Sequence, residues 1–377
     1  MIGGVTPRTD RPHILFAILD WGIGHATRTW PLIVLARQMG AEVTIATRGT
    51  AAAWIDARMA DWDARKVPDS APWRRIDKPG VAITYGRGKA TRIRIARQMP
   101  RFAASIRAER HWTRSTVSAF GITHVFSDNC YGCAPPSSVP SVLLTHQLRL
   151  PVPWVLRPIA RFQVRHWCRP FGATWVPDLP DSVLAGKLSL PLTSNTEFVG
   201  PLSRFSSKGT EDEDATPAPV LLGLVSGPEP QRSDMESALR MCFLRDGRPA
   251  LILAGRPGTA AHQEANVLTL GDLDDKRFRA AVLGAEHIVC RSGYSTLLDL
   301  VALKCTATLV PTLGQPEQEQ LARHWRSAHG WPTLDVRHLA GHTFTASEAQ
   351  PVSSELPSPE ARLRKWLFDV PTPITTA

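Results

Sequence analysis

The stretch Asp20-Trp21-Gly22-Ile23-Gly24-His25-Ala26-Thr27-Arg28 decides the fold, and it directly follows an apolar run at residues 14–19. The second half of the chain repeats the pattern, with Arg291-Ser292-Gly293-Tyr294-Ser295-Thr296 after the apolar run 287–290. Each stretch predicts a strand, a glycine turn and the start of a helix. Backbone N–H groups at a helix start lack partners within the helix and attract anions. Two such turns predict two lobes that face a phosphate-bearing ligand across a cleft.

Strands and helices are predicted to alternate along both halves of the chain. In the first half we predict strands at 14–19, 42–46, 123–127, 141–145 and 173–176, a helix at 29–39 with Gly40 as its C-cap, and a helix at 92–120 with a break near Pro100. In the second half we predict strands at 220–225, 250–253, 267–270, 287–290 and 307–310, and helices at 233–243, 276–284, 295–303, 317–328 and 360–368.

Strands separated by helices indicate parallel sheets that are covered on both faces. The chain is therefore predicted to be an α/β protein with two doubly wound, Rossmann-like domains, whose ligands lie at the carboxyl ends of the strands. We predict an N-terminal domain at 1–203, a linker or mobile loop at 204–219, a C-terminal domain at 220–350, and a tail with a short helix at 351–377. The linker is predicted because residues 206–219 contain almost no large apolar side chains.

The composition is typical of a globular protein. Of the 377 residues, 43% are hydrophobic, and no run reaches the roughly 18–20 apolar residues that a membrane-spanning helix needs. The first ten residues contain no long apolar run and do not indicate a secretory signal. Six cysteines include one C-x-x-C pair, Cys130 and Cys133, which we expect to be reduced. We expect a cytoplasmic protein, or one bound peripherally to the cytoplasmic face of a membrane.

The net charge of +10 is compatible with nucleic acid, anionic lipid or phosphorylated substrates as partners. The stretch 154–169 combines arginines at a spacing of four with large apolar residues, namely Arg157, Arg161, Arg165 and Arg169 with Trp154, Val155, Ile159, Phe162 and Trp167. This pattern is typical of a basic amphipathic helix that lies on an anionic membrane. It is equally typical of a solvated arginine face above a packed apolar face.

Seven motifs along the chain together resemble those of a known family. Besides the two stretches quoted above, they are Ser127-Asp128-Asn129, Thr145-His146-Gln147, Gly200-Pro201-Leu202-Ser203-Arg204-Phe205, Ser226-Gly227-Pro228-Glu229-Pro230-Gln231-Arg232 and Pro311-Thr312-Leu313-Gly314-Gln315-Pro316-Glu317-Gln318-Glu319-Gln320. In their order and spacing the chain resembles bacterial glycosyltransferases of the GT-B fold. The resemblance is to relatives of glycosyltransferase family 28, which includes the peptidoglycan N-acetylglucosaminyltransferase and galactolipid synthases.

This resemblance implies an enzyme that transfers a sugar, with inversion and without a metal or other cofactor, from a UDP-sugar to a hydroxyl acceptor. UDP-N-acetylglucosamine is the donor that the resemblance suggests. The arginine- and tryptophan-rich stretch 154–169 suggests that the acceptor is a lipid or is linked to one, and that an anionic membrane surface is a partner. No nucleic-acid partner is expected.

An inverting transfer needs a base that removes the proton of the acceptor hydroxyl, and histidine suits this role because its pKa lies near neutrality. We predict that His25 is this base, although it could instead only cap its turn. Asp128 is predicted to orient His25, with Asp20 as the second choice; an Asx-turn is the structural alternative for Asp128. Arg28 is predicted to clamp an acceptor phosphate or carboxylate, or else to form a surface ion pair. The other predicted acceptor-binding residues are Gly22, Gly24, His146 and Gln147.

The donor is predicted to bind the second domain. Ser292, Gly293, Tyr294, Ser295 and Thr296 form the turn that would cradle its diphosphate. Ser226 and Gly227 would add a second phosphate contact, with Arg232 behind them. By the resemblance, backbone groups of Leu270 and Gly271 contact the base, Asp299 contacts the ribose, and Glu317 and Gln318 contact the sugar. The structural alternatives are an exposed helix acid for Asp299 and N-terminal helix capping for Glu317 and Gln318.

Other classes of function are less well supported by the sequence. Asp272 and Asp274 form a D-x-D, which metal-dependent transferases use, but both precede a predicted helix, where acids are common. The glycine turn at Gly22 lacks the third glycine that a dinucleotide fingerprint requires, because Thr27 occupies that position. Two alternatives stay open, namely a UDP-sugar 2-epimerase of the same fold and a non-catalytic binder of nucleic acid or anionic lipid.

Overall fold

The computed structural model of the chain describes residues 11–64, 71–81, 90–150, 152, 154–191, 193–205, 219–227, 229–345, 349–352 and 359–368. Most of the predicted linker, 206–218, and the last part of the predicted tail, 369–377, lie outside these residues. Within them, strands and helices alternate as predicted and build two sheets.

The first sheet contains seven parallel strands, and every one of them lies before residue 200. They are β1 (His13–Ile18), β2 (Glu42–Ala46), β3 (Trp73–Ile76), β4 (His124–Asp128), β5 (Ser141–Leu144), β6 (Ala173–Val176) and β7 (Thr196–Phe198), in the order β3-β2-β1-β4-β5-β6-β7. The order reverses between β1 and β4, where Ile18 pairs with Asp128. A crevice forms at such a switch point, and ligands bind there in open α/β sheets.

Four helices accompany this sheet; one of them was not predicted, and two others differ from their predicted course. They are α1 (Gly24–Gln38), α2 (Gly49–Ala64), α3 (Ala90–Phe120) and α4 (Arg157–Cys168). The predicted start of α1 at residue 29 is too late, because the turn is completed at Gly22, whose φ of 96° suits glycine. The predicted break near Pro100 is wrong, since α3 runs through it for 31 residues. A proline removes only one N–H from the helix ladder, and the turns on either side continue it.

The second sheet has the same plan. Its strands are β8 (Leu221–Leu224), β9 (Ala250–Leu253), β10 (His262–Glu264), β11 (Val267–Leu270), β12 (His287–Cys290) and β13 (Thr308–Leu309), in the order β10-β11-β9-β8-β12-β13. Only the β10–β11 pair is antiparallel among these strands. The order reverses between β8 and β12, which creates a second switch point beside the turns that follow these two strands.

Six helices complete the described chain. They are α5 (Gln231–Asp246), α6 (Asp275–Gly284), α7 (Tyr294–Ala302), α8 (Pro316–His329), α9 (Val336–Leu339) and α10 (Pro359–Phe368). Helix α10 does not stay with the second sheet, since Leu363 and Leu367 are buried in the core that α1 shares with the first sheet. Conversely, Leu184 and Leu188, which follow β6, are buried in the core of the second sheet. Each lobe therefore contributes buried side chains to the hydrophobic core of the other.

No helix in the described ranges is both long and apolar enough to cross a membrane.

Candidate functional site

The predicted base lies at the switch point of the first sheet. The turn after β1 leads directly into α1, and His25 is in the first turn of this helix. The N-cap residue, Ile23, provides no side-chain hydrogen bond to the helix start. The first N–H groups of α1 are therefore not capped by a side chain of their own turn, which suits a negatively charged or polar ligand.

Asp128, the last residue of β4, is fully buried and accepts hydrogen bonds from three side chains. The Nδ1 atom of His25 lies 2.9 Å from Oδ1, and Arg28 Nε and Thr29 Oγ1 each donate to Oδ2 over 2.8 Å. Burial would raise the pKa of Asp128, but the charge of Arg28, followed by that of His25, outweighs burial and holds this pKa far below its ordinary value. Asp128 is therefore ionised at neutral pH.

Two groups contact Nδ1 of His25, because besides Asp128 the Nη2 atom of Arg28 lies 2.9 Å from it. A guanidinium only donates and an ionised carboxylate only accepts, so Nδ1 bonds to Asp128 when it carries the ring proton and to Arg28 when it does not. In the tautomer protonated at Nδ1, the Nε2 atom keeps its lone pair, and no described residue forms a hydrogen bond with Nε2. The side chain is 17% exposed, which leaves a route for an acceptor hydroxyl.

The structure corrects the prediction for Arg28 and for the second-choice acid. Arg28 is 2% exposed, and besides Asp128 it contacts His146, whose Nδ1 lies 3.3 Å from Nη1. Burial would lower the pKa of Arg28, but the charge of Asp128 raises it. Arg28 is thus a structural counter-ion and is not available to clamp an acceptor anion. Asp20, the second-choice acid for orienting His25, instead forms an ion pair with Arg48.

A second histidine connects the two lobes. His146 accepts from Arg28 at Nδ1 and donates through Nε2 to Glu317 Oε1 over 2.9 Å. Its ring stacks on Tyr294 with centroids 4.0 Å apart and an angle of 14°. Burial lowers the pKa of His146, so it is neutral, in agreement with this hydrogen-bond pattern. Gln147 is half-buried beside it, and its backbone N–H bonds to Thr145.

The turn at Gly293 touches the glycine turn of the first lobe. Helix α7 starts at Tyr294, and its N-cap residue, Gly293, makes no side-chain capping bond. Ser295 Oγ donates to the carbonyl of Gly24 over 2.8 Å. A Cβ on Gly24 would lie 3.0 Å from this hydroxyl, so the approach of the two turns favours glycine. His25 therefore lies one residue from the contact between the lobes.

Not every predicted donor contact is free in the structure. Ser292 is fully buried and its hydroxyl bonds to the carbonyl of Gln318, so only the backbone of Ser292 is left for an anion. The hydroxyl of Tyr294 donates to Pro177, and Thr296 is half-exposed at the helix start. On the other switch-point turn, Ser226 is half-buried and Gly227 is exposed with a φ of 95°.

Four further donor residues have partners within the protein. Glu317 bonds to His146, and the amide oxygen of Gln318 accepts the N–H of Thr312 over 2.8 Å. These side chains brace the lobe contact and the loop before α8, and contact with a sugar would require them to leave these partners. The carbonyls of Leu270 and Gly271 accept the N–H groups of Ala254 and Arg256.

Asp299 is neither exposed nor free. It is 7% exposed, accepts the hydroxyl of Ser203 over 2.6 Å and lies 3.4 Å from Arg204 Nε. Burial raises the pKa of its carboxyl. The structural alternative of an exposed helix acid is therefore wrong. In this structure the carboxylate predicted to contact the ribose is bound by Ser203 and Arg204, in the segment that connects the lobes.

The D-x-D acids occupy ordinary positions. Asp274 is the N-cap of α6 and accepts the N–H of Arg277 over 2.8 Å, and Asp272 is exposed. Elsewhere, ligand atoms of Glu109, Cys130 and Cys133 lie within 4.8 Å of one another. The ammonium of Lys78 bonds to Glu109 over 2.8 Å and already supplies the positive charge there. The sequence did not indicate this buried ion pair, because Lys78 lies outside every predicted element and Glu109 lies in the predicted helix 92–120.

The first half of helix α4 and the turn before it expose large apolar residues. Trp154 in the turn is 75% exposed, and Ile159 and Phe162 in α4 are 69% and 72% exposed, whereas Val164 and Trp167 are buried. A cavity of about 500 Å³ lies beside them, lined by residues that include Arg149, Arg157, Arg161, Arg165, Leu150 and Phe162. The alternative of a packed apolar face therefore holds for the second half of α4, with Val164 and Trp167, and is wrong for the first half, with Ile159 and Phe162.

Comparisons of the sequence with family models and with curated proteins find no match. Among solved structures, the chain is similar to the glycotransferase of kitacinnamycin (14% identity, TM-score 0.58, 95% of this chain and 91% of that chain covered). It is also similar to UGT89C1 of Arabidopsis thaliana complexed with UDP-L-rhamnose (12%, 0.56, 96% and 91%). A third similar structure is the spinosyn rhamnosyltransferase SpnG complexed with thymidine diphosphate (14%, 0.56, 88% and 88%). At these identities the likeness establishes the architecture, and with its two facing α/β lobes the chain has the GT-B fold.

Proposed function

We propose that the chain is an inverting, metal-independent glycosyltransferase that uses a nucleotide-sugar donor. One observation carries this proposal: the uncapped turn at Gly293 meets the turn that holds His25, through the bond between Ser295 and Gly24. An anion site and a histidine with a free Nε2 are thereby placed on opposite sides of one lobe contact. The likeness to solved glycosyltransferases, which concerns the fold, is consistent with this use of the cleft.

In this proposal His25 removes the proton from the acceptor hydroxyl through Nε2. Asp128 holds Nδ1 and stabilises the imidazolium that forms. The positive charge of Arg28 attracts the carboxylate of Asp128, so Arg28 keeps this carboxylate ionised and fixed in position. The oxygen then attacks the anomeric carbon of the donor from the side opposite to the leaving nucleoside diphosphate, which inverts the configuration.

The departing diphosphate would be stabilised by backbone N–H groups of the 293–296 turn and by the dipole of α7, with Ser226 and Gly227 as a second contact. A helix start that supplies this charge needs no metal ion. We propose a UDP-sugar, with UDP-N-acetylglucosamine first, because of the motifs shared with glycosyltransferase family 28. A relation to that family is itself part of the proposal.

The acceptor is proposed to be a lipid or a lipid-linked hydroxyl. The exposed apolar residues of α4 and the arginines around its cavity support this choice, because a phosphate-bearing lipid offers an anionic head and an apolar body. No acid occurs between Asp128 and Asp178, so nothing in that part of the sequence opposes an anionic surface. We propose that the protein works at the cytoplasmic face of a membrane.

The test is release of UDP from UDP-N-acetylglucosamine, UDP-glucose and UDP-galactose in the presence of a panel of hydroxyl lipids. We expect His25→Ala to lower the turnover number by about 10²–10⁴-fold and to leave the affinity for UDP unchanged. His262→Ala, a change of an exposed histidine on β10, serves as the matched control. Equal turnover in His25→Ala and the wild type would contradict the proposal. Interconversion of UDP-sugars without an acceptor, followed by NMR, would indicate the epimerase instead.

A further inference from the structure

Arg291 is a fully buried arginine, and no carboxylate among the described residues contacts it. It is 1% exposed, and it donates from Nη2 to the carbonyl of Gln231 over 2.6 Å and from Nη1 to the carbonyl of Val310 over 3.2 Å. Its Nε atom has no acceptor in the structure. Backbone carbonyls satisfy part of its hydrogen-bonding capacity, but they do not neutralise its charge.

The contrast with Arg28 shows how unusual this is. Arg28 is as deeply buried, and a carboxylate, Asp128, faces it directly. For Arg291 the acid that acts on the charge is Asp234, which is exposed in the first turn of α5. Burial lowers the pKa of Arg291 to about 10, so it still carries its charge at neutral pH. A buried charge without a partner is costly, which suggests that a ligand compensates for it.

The position of Arg291 indicates which ligand this is. It directly precedes the turn 292–296 at the end of β12. Gln231 is the first residue of α5, which follows the turn at Ser226 and Gly227. Val310 directly precedes the loop 311–315 that leads into α8. One guanidinium therefore connects three turns at the carboxyl ends of neighbouring strands of the second sheet.

We propose that Arg291 is a positioning residue for the diphosphate of the donor, an inference that rests on the proposed function. It sets the spacing of the turns after β8, β12 and β13, and its uncompensated charge makes the space in front of them positive. Its Nη1 and Nη2 atoms donate to carbonyls and the whole side chain is buried, so Arg291 acts on the phosphates through its field and not through contact. A field inside a protein is screened much less than in water. The effect should therefore grow with the number of phosphate charges and be independent of the base.

The test compares the affinities of wild type, Arg291→Met and Arg291→Lys for UDP, UMP and uridine by calorimetry. We expect Arg291→Met to weaken UDP binding about tenfold or more, to weaken UMP binding less and to leave uridine binding unchanged. Arg291→Lys should keep most of the preference of the wild type for UDP over uridine, although it loses bonds to the carbonyls and melts at a lower temperature.

Arg37→Met is the matched control, because Arg37 is a buried arginine of the first lobe that bonds to the carbonyl of Ala71. It should lower the melting temperature without changing the UDP-to-uridine ratio. An equal loss for all three ligands in Arg291→Met, or a lysine variant that loses the UDP preference completely, would overturn the inference. If Arg291→Met does not fold, Arg291→Gln is measured in its place. A wild type that binds none of the three ligands would overturn the proposed function itself.

Discussion

Asp128 shows how a single buried charge organises the site. Its carboxylate accepts hydrogen bonds from the side chains of Arg28, His25 and Thr29, which lie close together at the start of α1. Asp128 itself lies at the end of the neighbouring strand, β4. The pair His25–Asp128 could be predicted from the sequence, because both residues follow strands that the switch-point rule places side by side. The position of Arg28 between them could not, since the same residue would fit an acceptor site equally well by charge and spacing.

We expect Asp128→Asn to destabilise the protein by about 3–5 kcal/mol, because it leaves the buried charge of Arg28 without a partner. Urea unfolding measures this change. Asp63→Asn is the control, because Asp63 is 55% exposed and its pair with Arg37 is longer, at 3.5 Å; such a pair contributes about 0–1 kcal/mol. Similar losses in both variants would contradict the account of Asp128.

His124 predicts a pH dependence of stability. Burial lowers its pKa to about 4 in the folded chain, whereas the value in the unfolded chain is about 6.5. Between these values the unfolded chain binds a proton that the folded chain does not, so stability falls as the pH decreases from about 6.5 towards 4 and has its full value above 6.5. His124→Gln should flatten this dependence, and His262→Gln should leave it unchanged. Identical pH profiles for wild type and His124→Gln would refute the prediction.

At the scale of elements, most strands were predictable and some helices were not. The predicted bounds of β2, β6, β9, β11 and β12 are confirmed without change, because buried parallel strands appear as short, continuous apolar runs. Helices α2 and α9 and strands β3, β7 and β10 were not predicted. Strand β10 is exposed throughout and β3 carries two arginines, so neither shows the apolar pattern on which such predictions depend.

Helix α10 is predicted to stabilise the first lobe, although it follows the second in sequence. Leu363 is fully buried in the core of the first lobe, so Leu363→Ala should cost about 2–5 kcal/mol. Arg364→Ala, one residue further on the same helix, removes only an exposed pair with Glu360 and should cost less than about 1 kcal/mol. Thermal unfolding of the two variants measures the difference. An equal effect would mean that α10 does not pack in this core.

Helix α4 is predicted to bind anionic vesicles. Ile159→Ser combined with Phe162→Ser should reduce sedimentation with phosphatidylglycerol vesicles several-fold, because exposed apolar area and basic charge act together at such a surface. Met241→Ser, which removes a 61% exposed apolar side chain from the second lobe, is the control. Binding to phosphatidylcholine vesicles should be weak for every variant. Unchanged sedimentation of the double variant would exclude α4 as the membrane surface.

At the scale of the whole molecule, two switch points face each other and bring distant residues together. Gly24 meets Ser295, and His146 meets Glu317, across sequence separations of 271 and 171 residues. The sequence predicted which loops meet, because the carboxyl ends of parallel strands share an edge. It could not predict that Glu317, Gln318 and Asp299 bond to protein partners, since those contacts depend on how closely the lobes approach.

The most direct measurement is a crystal structure of the protein with UDP. We expect the diphosphate to lie within hydrogen-bonding distance of the backbone N–H groups of Ser295 and Thr296, and this expectation includes that Nε2 of His25 is open to the side where the sugar would lie. A nucleotide bound away from this turn, or packed side chains that separate the diphosphate from His25, would contradict it.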